Sequence, residues 1–320
     1  MKITALGLAV LTILVVTTLL SFLPQPAQAQ TPITTCTELQ NIRNDLSRDY
    51  YLANAIDCSC TSGWNGGAGF EPIGTSSSKF TGTFDGNGYK ITHLYINRSS
   101  TNHVGLFGYT GSGSEIKDVG LEEVNVNGNW YVGGLVGDNY GTITNSYSSG
   151  SVSGSAVVGG LAGFSSGEIT NSYSSGSVSG YLGVGGLVAS NGGTITNSYY
   201  PGSVTGSPWV GGLVGDNGGT ITNSYYPGDD ITCTGCDNLI GNTTKANLQN
   251  ETWLTTPPNN WDFDTIWGIV EGVTYPYMWW QYAPKITSFA PPSPVNDTVC
   301  TWTTFNVTEA VPQLFINTDT

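Results

Sequence analysis

The residues able to do chemistry in this 320-residue chain are few, and their spacing speaks against catalysis. Its two histidines, His93 and His103, form no H-E-x-x-H, so the zinc-peptidase arrangement of two imidazoles one helical turn apart with a glutamate base is missing. The three arginines, Arg43, Arg48 and Arg98, lie early in the chain, and no basic residue falls between Lys117 and Lys245. A polysaccharide lyase, which abstracts a proton with a basic side chain beside an acidic cation site, has no such pairing there. Two carboxylates about 5 to 9.5 Å apart would be needed for glycoside hydrolysis. The central acids stand alone: Asp138 is in register with Phe164, Ser190 and Asp216, and Glu168 with Thr142, Thr194 and Thr220. Asp85 and Asn87, in Asp-Gly-Asn-Gly, have turn chemistry. Asp229, Asp230 and Asp237 offer fewer oxygens than the six or more a hard cation takes. The expectation is a non-enzymatic chain with no metal and no cofactor.

What recurs instead is aromatic and amide. Tyr147, Tyr173, Tyr199 and Tyr225 are spaced 26 residues apart, with Tyr200 and Tyr226 beside the last two. Stacked rings are usually packing; exposed as a strip, these six could bind sugar rings. Asn145, Asn171, Asn197 and Asn223 share the spacing and predict an amide ladder, each side chain bonding the next.

The elements that must position these residues follow from the same period. VGGLVGDNYGTITNSYSSGSVSG from Val132 returns from Val158, Val184 and Val210 with few changes. A unit this short cannot bury an apolar face alone and needs copies stacked beside it. Each contains three short runs rich in Val, Ile, Thr or Tyr and no helical spacing, which predicts an all-β, right-handed parallel β-helix with ~26-residue rungs about 4.8 Å apart. Val132, Leu135 and Ile143, with their equivalents, should point inward. Ser165, at a glycine-flanked turn with Asn139 and Asn191, should face solvent. The glycine pairs, such as Gly133 and Gly134, suggest corners with positive φ or too close an approach for a Cβ. At 4.8 Å, stacked like charges would repel by about 0.9 kcal/mol even in water, and the repeats contain no charged column.

GGLVG followed by N-x-G-x-I-x-N-S-Y resembles the GLUG motif of bacterial and archaeal surface proteins, also found upstream of the catalytic region in IgA1-protease-type metallopeptidases. FTGTFDGNGYKITHLYINRS from Phe80 and VGLFG from Val104 resemble its opening rungs, and WDFDTIWGIVEGVTYPYMWW from Trp261 resembles its closing segment. The resemblance spans roughly residues 33 to 283; it implies an envelope or secreted setting and brings no catalytic residues. ITSFAPPSPVNDTVCTWTTFNVT from Ile286 resembles the opening strands of Ig-like modules in archaeal surface proteins. An Ig sandwich needs about 100 residues, so a truncated module is expected.

Five regions are therefore expected: a signal peptide at 1–29, an N-terminal cap with the first strands at 30–78, the repeats at 79–228, a C-terminal cap at 229–283 that lays large rings over the last rung, and a linker with the Ig-like start at 284–320. The signal reading rests on an apolar run closed by Ala27-Gln28-Ala29, a small-residue cleavage site; uncleaved, the run is long enough to span a membrane. After cleavage no span remains. Thr35 and Glu38 have capping-box spacing ahead of Leu39, Ile42 and Leu46, predicting a short helix over the open end of the stack. In an exported chain cysteines read first as disulfides: Cys36 with Cys58, and Cys233 with Cys236 just past the repeats. Sequons at Asn97, Asn242, Asn250, Asn296 and Asn306 are compatible with glycosylation. A net charge of −14 disfavours nucleic acid. The function expected is a structural or adhesive module of the cell surface, facing glycans or envelope proteins; the alternative is a carbohydrate-binding module using the tyrosines, and less favoured is a polysaccharide lyase or hydrolase.

Overall fold

The computed structural model describes residues 30–230 and 232–282. The expected signal peptide and Ig-like start, with Asn296 and Asn306, lie outside them. Within them the 26-residue period becomes lateral register. Tyr50, Phe84, Ile116, Ile143, Ile169, Ile195 and Ile221 follow one another as parallel Cα partners, a column running nearly the full height of a parallel β-solenoid of about six turns.

Three faces make each turn. The long face carries Glu115–Asn127, Tyr147–Gly159, Tyr173–Gly185, Ser203–Gly211 and Cys233–Asn238. A second face stacks Phe107–Tyr109, Val136–Asn139, Ala162–Ser165, Val188–Asn191 and Val214–Asn217. The third holds Thr142–Thr144, Glu168–Thr170, Thr194–Thr196 and Thr220–Thr222. Val132, Val158, Val184 and Val210 are fully buried, as are Leu135, Leu161, Leu187 and Leu213. Ile143, Ile169 and Ile195 are too, while Ile221, at the end of its column, is partly exposed. Each such side chain contributes about 1.5–3 kcal/mol, against a conformational entropy of comparable size.

The glycine pairs serve close approach. A Cβ on Gly133, Gly159, Gly185 or Gly211 would fall on the carbonyl oxygen of Val136, Ala162, Val188 or Val214. The second glycine of each pair leaves room for the side chain beneath: Ser148 under Gly134, Ser174 under Gly160, Tyr200 under Gly186 and Tyr226 under Gly212. Positive φ is used at another corner, by Asn145, Asn171, Asn197 and Asn223 (φ 47–48°) and by Asp118 (φ 51°), residue types that tolerate the left-handed region best after glycine.

At the N-terminal end, helix Cys36–Asn41 starts in a capping box in which Thr35 and Glu38 satisfy each other's backbone N–H groups. It buries Leu39, with Ile42 following, and the Cys36–Cys58 disulfide (Cα–Cα 5.5 Å) ties it to the first turns. The other end differs from the sequence expectation. Cys233–Asn238 adds one more strand to the long face, and Asn242–Thr243 pairs with Tyr226–Pro227. From Lys245 the chain does not lay its tryptophans on the last rung; it turns back along the outside of the solenoid as a strap. The reason lies in the partner surface: a last rung offers one layer of side chains, whereas the outward tyrosines offer a column of rings several rungs long.

Candidate functional site

The tyrosine column was the strongest site expectation, and the geometry divides it. Neighbouring residues on a strand point to opposite faces of the sheet. Tyr147, Tyr173, Tyr199 and Tyr225 therefore point outward, with Tyr147 and Tyr173 stacked at 4.8 Å and 4°, and Tyr173 and Tyr199 at 5.0 Å and 23°. Tyr200 and Tyr226 point the other way, into the solenoid core. The Tyr200 hydroxyl donates to the carbonyls of Ser203 (2.7 Å) and Gly176 (3.1 Å), and burial pushes its pKa up. The six tyrosines are thus two sets on opposite sides of one sheet, and the single strip expected from the sequence is corrected accordingly.

Nor is the outward set open to a ligand. Tyr147 is 1% exposed and Tyr199 2%. Their faces and edges are covered by the strap: Trp261 and Trp267 against Tyr199, Trp267 against Tyr173, and Trp280 against Tyr147. Hydrogen bonds fix the alignment. The Tyr225 hydroxyl donates to Asn259 Oδ1 (2.5 Å), the Tyr199 hydroxyl to the Pro276 carbonyl, and the Tyr173 hydroxyl to Gln281 Oε1 (2.9 Å). The strap is also pinned by two of the acidic residues that the sequence sets aside as a cation site. Asp229 Oδ1 accepts from the Lys245 backbone (2.7 Å), and Asp230 accepts from Lys245 Nζ (3.1 Å) and the Tyr275 hydroxyl (2.5 Å). Those two bonds hold the Asp230 carboxyl below its ordinary pKa.

Three polar ladders run beside the rings. Asn197 Nδ2 donates to Asn171 Oδ1 and Asn171 Nδ2 to Asn145 Oδ1, both at 3.3 Å; Asn145 Nδ2 donates to Asp118 Oδ1 at 3.0 Å. Asn223, at the other end, donates to the strap carbonyl of Asn259 (2.9 Å). A serine ladder was missed: the backbone N–H groups of Ser146, Ser172 and Ser198 donate to the hydroxyls of Ser172, Ser198 and Ser224 at 3.1–3.2 Å. Its signal was the serine fixed between each Asn and Tyr. The third ladder corrects an expectation. Asn139, Ser165 and Asn191 do not face solvent; Asn139 and Ser165 are fully buried and Asn191 nearly so. Asn139 Nδ2 donates to Ser165 Oγ (3.1 Å) and Asn191 Nδ2 to Asn217 Oδ1 (2.7 Å). Flanking glycines suggested a turn at the surface, but here they let the corner fold inward.

The ionisable groups pair with structure. His93 lies between Asp57 (3.1 Å) and Glu123 (2.9 Å), and the hydrogen bond it donates to Asp57 raises its pKa. His103 lies on Asp138 (3.1 Å) and stacks on Tyr131 at 5.0 Å. Asp118 has a raised pKa from burial, reinforced by Asp85 and opposed by the Asn145 bond, and closes the amide ladder. Asp85 Oδ1 accepts from the Asn87 backbone (2.7 Å), the turn chemistry read from the sequence. Among the described residues no His, Cys, Asp and Glu cluster suits a metal ion. Cys233 and Cys236 are disulfide-bonded, and Cys60 is exposed and unpaired. Of the sequons, Asn97 and Asn242 are exposed, whereas Asn250 is partly buried and caps helix Glu251–Thr255 through its Oδ1.

Residues 128–153 match the family described as the GLUG motif. A stretch of 121 residues is 42% identical to halomucin of Haloquadratum walsbyi, covering 36% of this chain and 1% of that protein. Another of 117 residues is 39% identical to a Gly-rich membrane protein of Evansella cellulosilytica, covering 35% of this chain and 14% of that one. This chain therefore spans a small part of the curated relatives it matches. A crystal structure named for an immunoglobulin A1 protease of Bacteroides ovatus superposes with a TM-score of 0.52 over 80% of this chain and 94% of its own, at 19% identity, which is a likeness of fold. The chain is a parallel β-solenoid that carries a GLUG motif at residues 128–153.

Proposed function

We propose that this chain is a non-catalytic scaffold of an exported cell-surface protein, a stiff solenoid segment that holds its shape by strapping its own C-terminal segment along its side. The observation that carries this reading is the covered tyrosine ladder, since the chain's most conspicuous aromatic surface is occupied by its own tryptophans. The ionisable side chains support it, because each described histidine is paired with a carboxylate on another element. Kinship with surface and membrane proteins supports the setting, and the first strand, Thr31–Ile33, begins just after the expected cleavage site at Ala29.

Production of the full chain in a bacterial host tests the export half. The mature protein is expected outside the cytoplasm with Gln30 as its first residue. Intact Met1 on a cytoplasmic product would overturn it. Scattering in solution tests the other half: a rod-like particle whose long dimension falls when repeats are deleted is expected, and an unchanged dimension would exclude the spacer role.

A further inference from the structure

One face of the solenoid has no role in the strap, the caps or the ladders described so far. On the outside of the long face, Asn125, Ser151, Ser177 and Ser203 stack in register, and beside them Asn127, Ser153, Ser179, Thr205 and Thr234. Side chains two apart on a strand lie about 6.6 Å from one another and equivalents on adjacent rungs about 4.8 Å, so the surface is a grid of hydroxyls and amides. These groups both donate and accept. The strand segments 124–132, 149–158, 175–184 and 201–210 contain no Asp, Glu, Lys, Arg or His, in a chain of net charge −14.

Two rings stand furthest out of this polar plane. Tyr181, in line with Asn129, Ser155 and Ser207, is 78% exposed; Trp209, on the next rung and in line with Tyr131, Val157 and Gly183, is 58% exposed; Trp130, at the far edge, is 43% exposed. The stack does not dictate these rings, since other rungs carry asparagine or serine in line with Tyr181, and valine or glycine as well as Tyr131 in line with Trp209. Large exposed rings set in a field of uncharged hydrogen-bonding groups present the two contacts a sugar offers: C–H faces that pack on an aromatic ring, and hydroxyls that exchange hydrogen bonds with Ser, Thr and Asn. A nucleic acid or an acidic polymer would find no cation on this face.

We propose that this face binds a neutral, hydroxyl-rich polysaccharide, with Tyr181 and Trp209 as stacking residues and Ser177, Ser179, Ser203 and Thr205 as hydrogen-bonding partners. The binding reading first attached to the outward tyrosines thereby moves to a different, exposed surface. It does not depend on the scaffold reading, whose tests do not involve this face.

Native electrophoresis of the full chain through gels containing hydroxyethyl cellulose, galactomannan or polygalacturonate decides it. Retardation is expected in at least one neutral polymer, not in polygalacturonate, and without weakening by added salt, because no ion pair is involved. Tyr181→Ser and Trp209→Gly take residues from aligned rungs and should fold; each is expected to weaken the apparent affinity by about tenfold or more. Trp279→Ser, at an exposed tryptophan on the strap, should leave it unchanged. Four results would overturn the proposal: no retardation in either neutral polymer, retardation only in polygalacturonate, full retardation of both variants, or sedimentation showing self-association that both variants abolish. The last would assign the face to a second copy of the chain.

Discussion

At the scale of single residues, register decides inside from outside more reliably than local composition does. Leu161→Asp should abolish folding, because it removes about 2–3 kcal/mol of burial and places an unpaired charge in the core. At a solvent-facing turn Ser165→Asp would be nearly silent; the burial of Ser165 predicts that it unfolds the chain as well. Ser165→Asn should instead stay within about 1 kcal/mol of wild type, since Asn139, Asn191 and Asn217 occupy the equivalent positions. Melting temperature with protease resistance separates the three. Asp118 gives a pH test. Its raised pKa means that the native state holds the proton more tightly than the unfolded chain, so the ionised form costs stability as pH rises through the native pKa. Asp118→Asn keeps a residue type suited to the left-handed corner and extends the amide ladder. It should raise stability by about 0.5–1 kcal/mol at neutral pH, with the gain fading as pH falls to the ordinary carboxylate range. An advantage that grew on acidification would contradict the assignment.

Among the elements, the strap has the most to be tested. Trp267 is fully buried and touches Tyr173, Tyr199 and Trp261, so Trp267→Ala should cost about 3–5 kcal/mol. That loss is expected to fall on the strap rather than on the stack. Limited proteolysis of the variant should release the segment after Lys245 while the repeats stay resistant, and tryptophan emission should shift to the red. Cleavage inside the repeats at the same rate would show that strap and stack fold as one unit. Tryptophan-rich composition after Asp229 was legible in the sequence as a covering segment; its direction was not. Nothing in a linear string says whether rings cover the end of a stack or its side, because both surfaces are apolar and only their areas differ.

Over the whole molecule, a stack of equal rungs should accept one more, since stability in a solenoid sums over neighbours. The strap modifies that rule here. Trp280 meets Tyr147, Trp267 meets Tyr173, and Trp261 meets Tyr199, so the strap is matched to a fixed number of rungs. Duplicating residues 158–183 should preserve the β-sheet circular dichroism spectrum yet leave the strap open to protease. Duplicating only the first half of that segment should abolish the cooperative melt, because every column above it falls out of register. Identical behaviour of the two insertions would contradict stacked rungs.

The sequence by itself determined the solenoid, its period, the three inward aliphatic columns and the asparagine ladder as far as Asn197, because an in-register repeat makes each residue its own neighbour's partner and leaves the lateral pairing no choice; the last link, from Asn223, goes to the strap instead. Only the tertiary structure decided which side of the sheet Tyr199 and Tyr200 take, that Ser165 lies inside, and that the outward rings are covered. Those outcomes depend on how sharply each corner bends and on where a non-repeating segment finds its largest apolar surface, and neither quantity repeats along the chain.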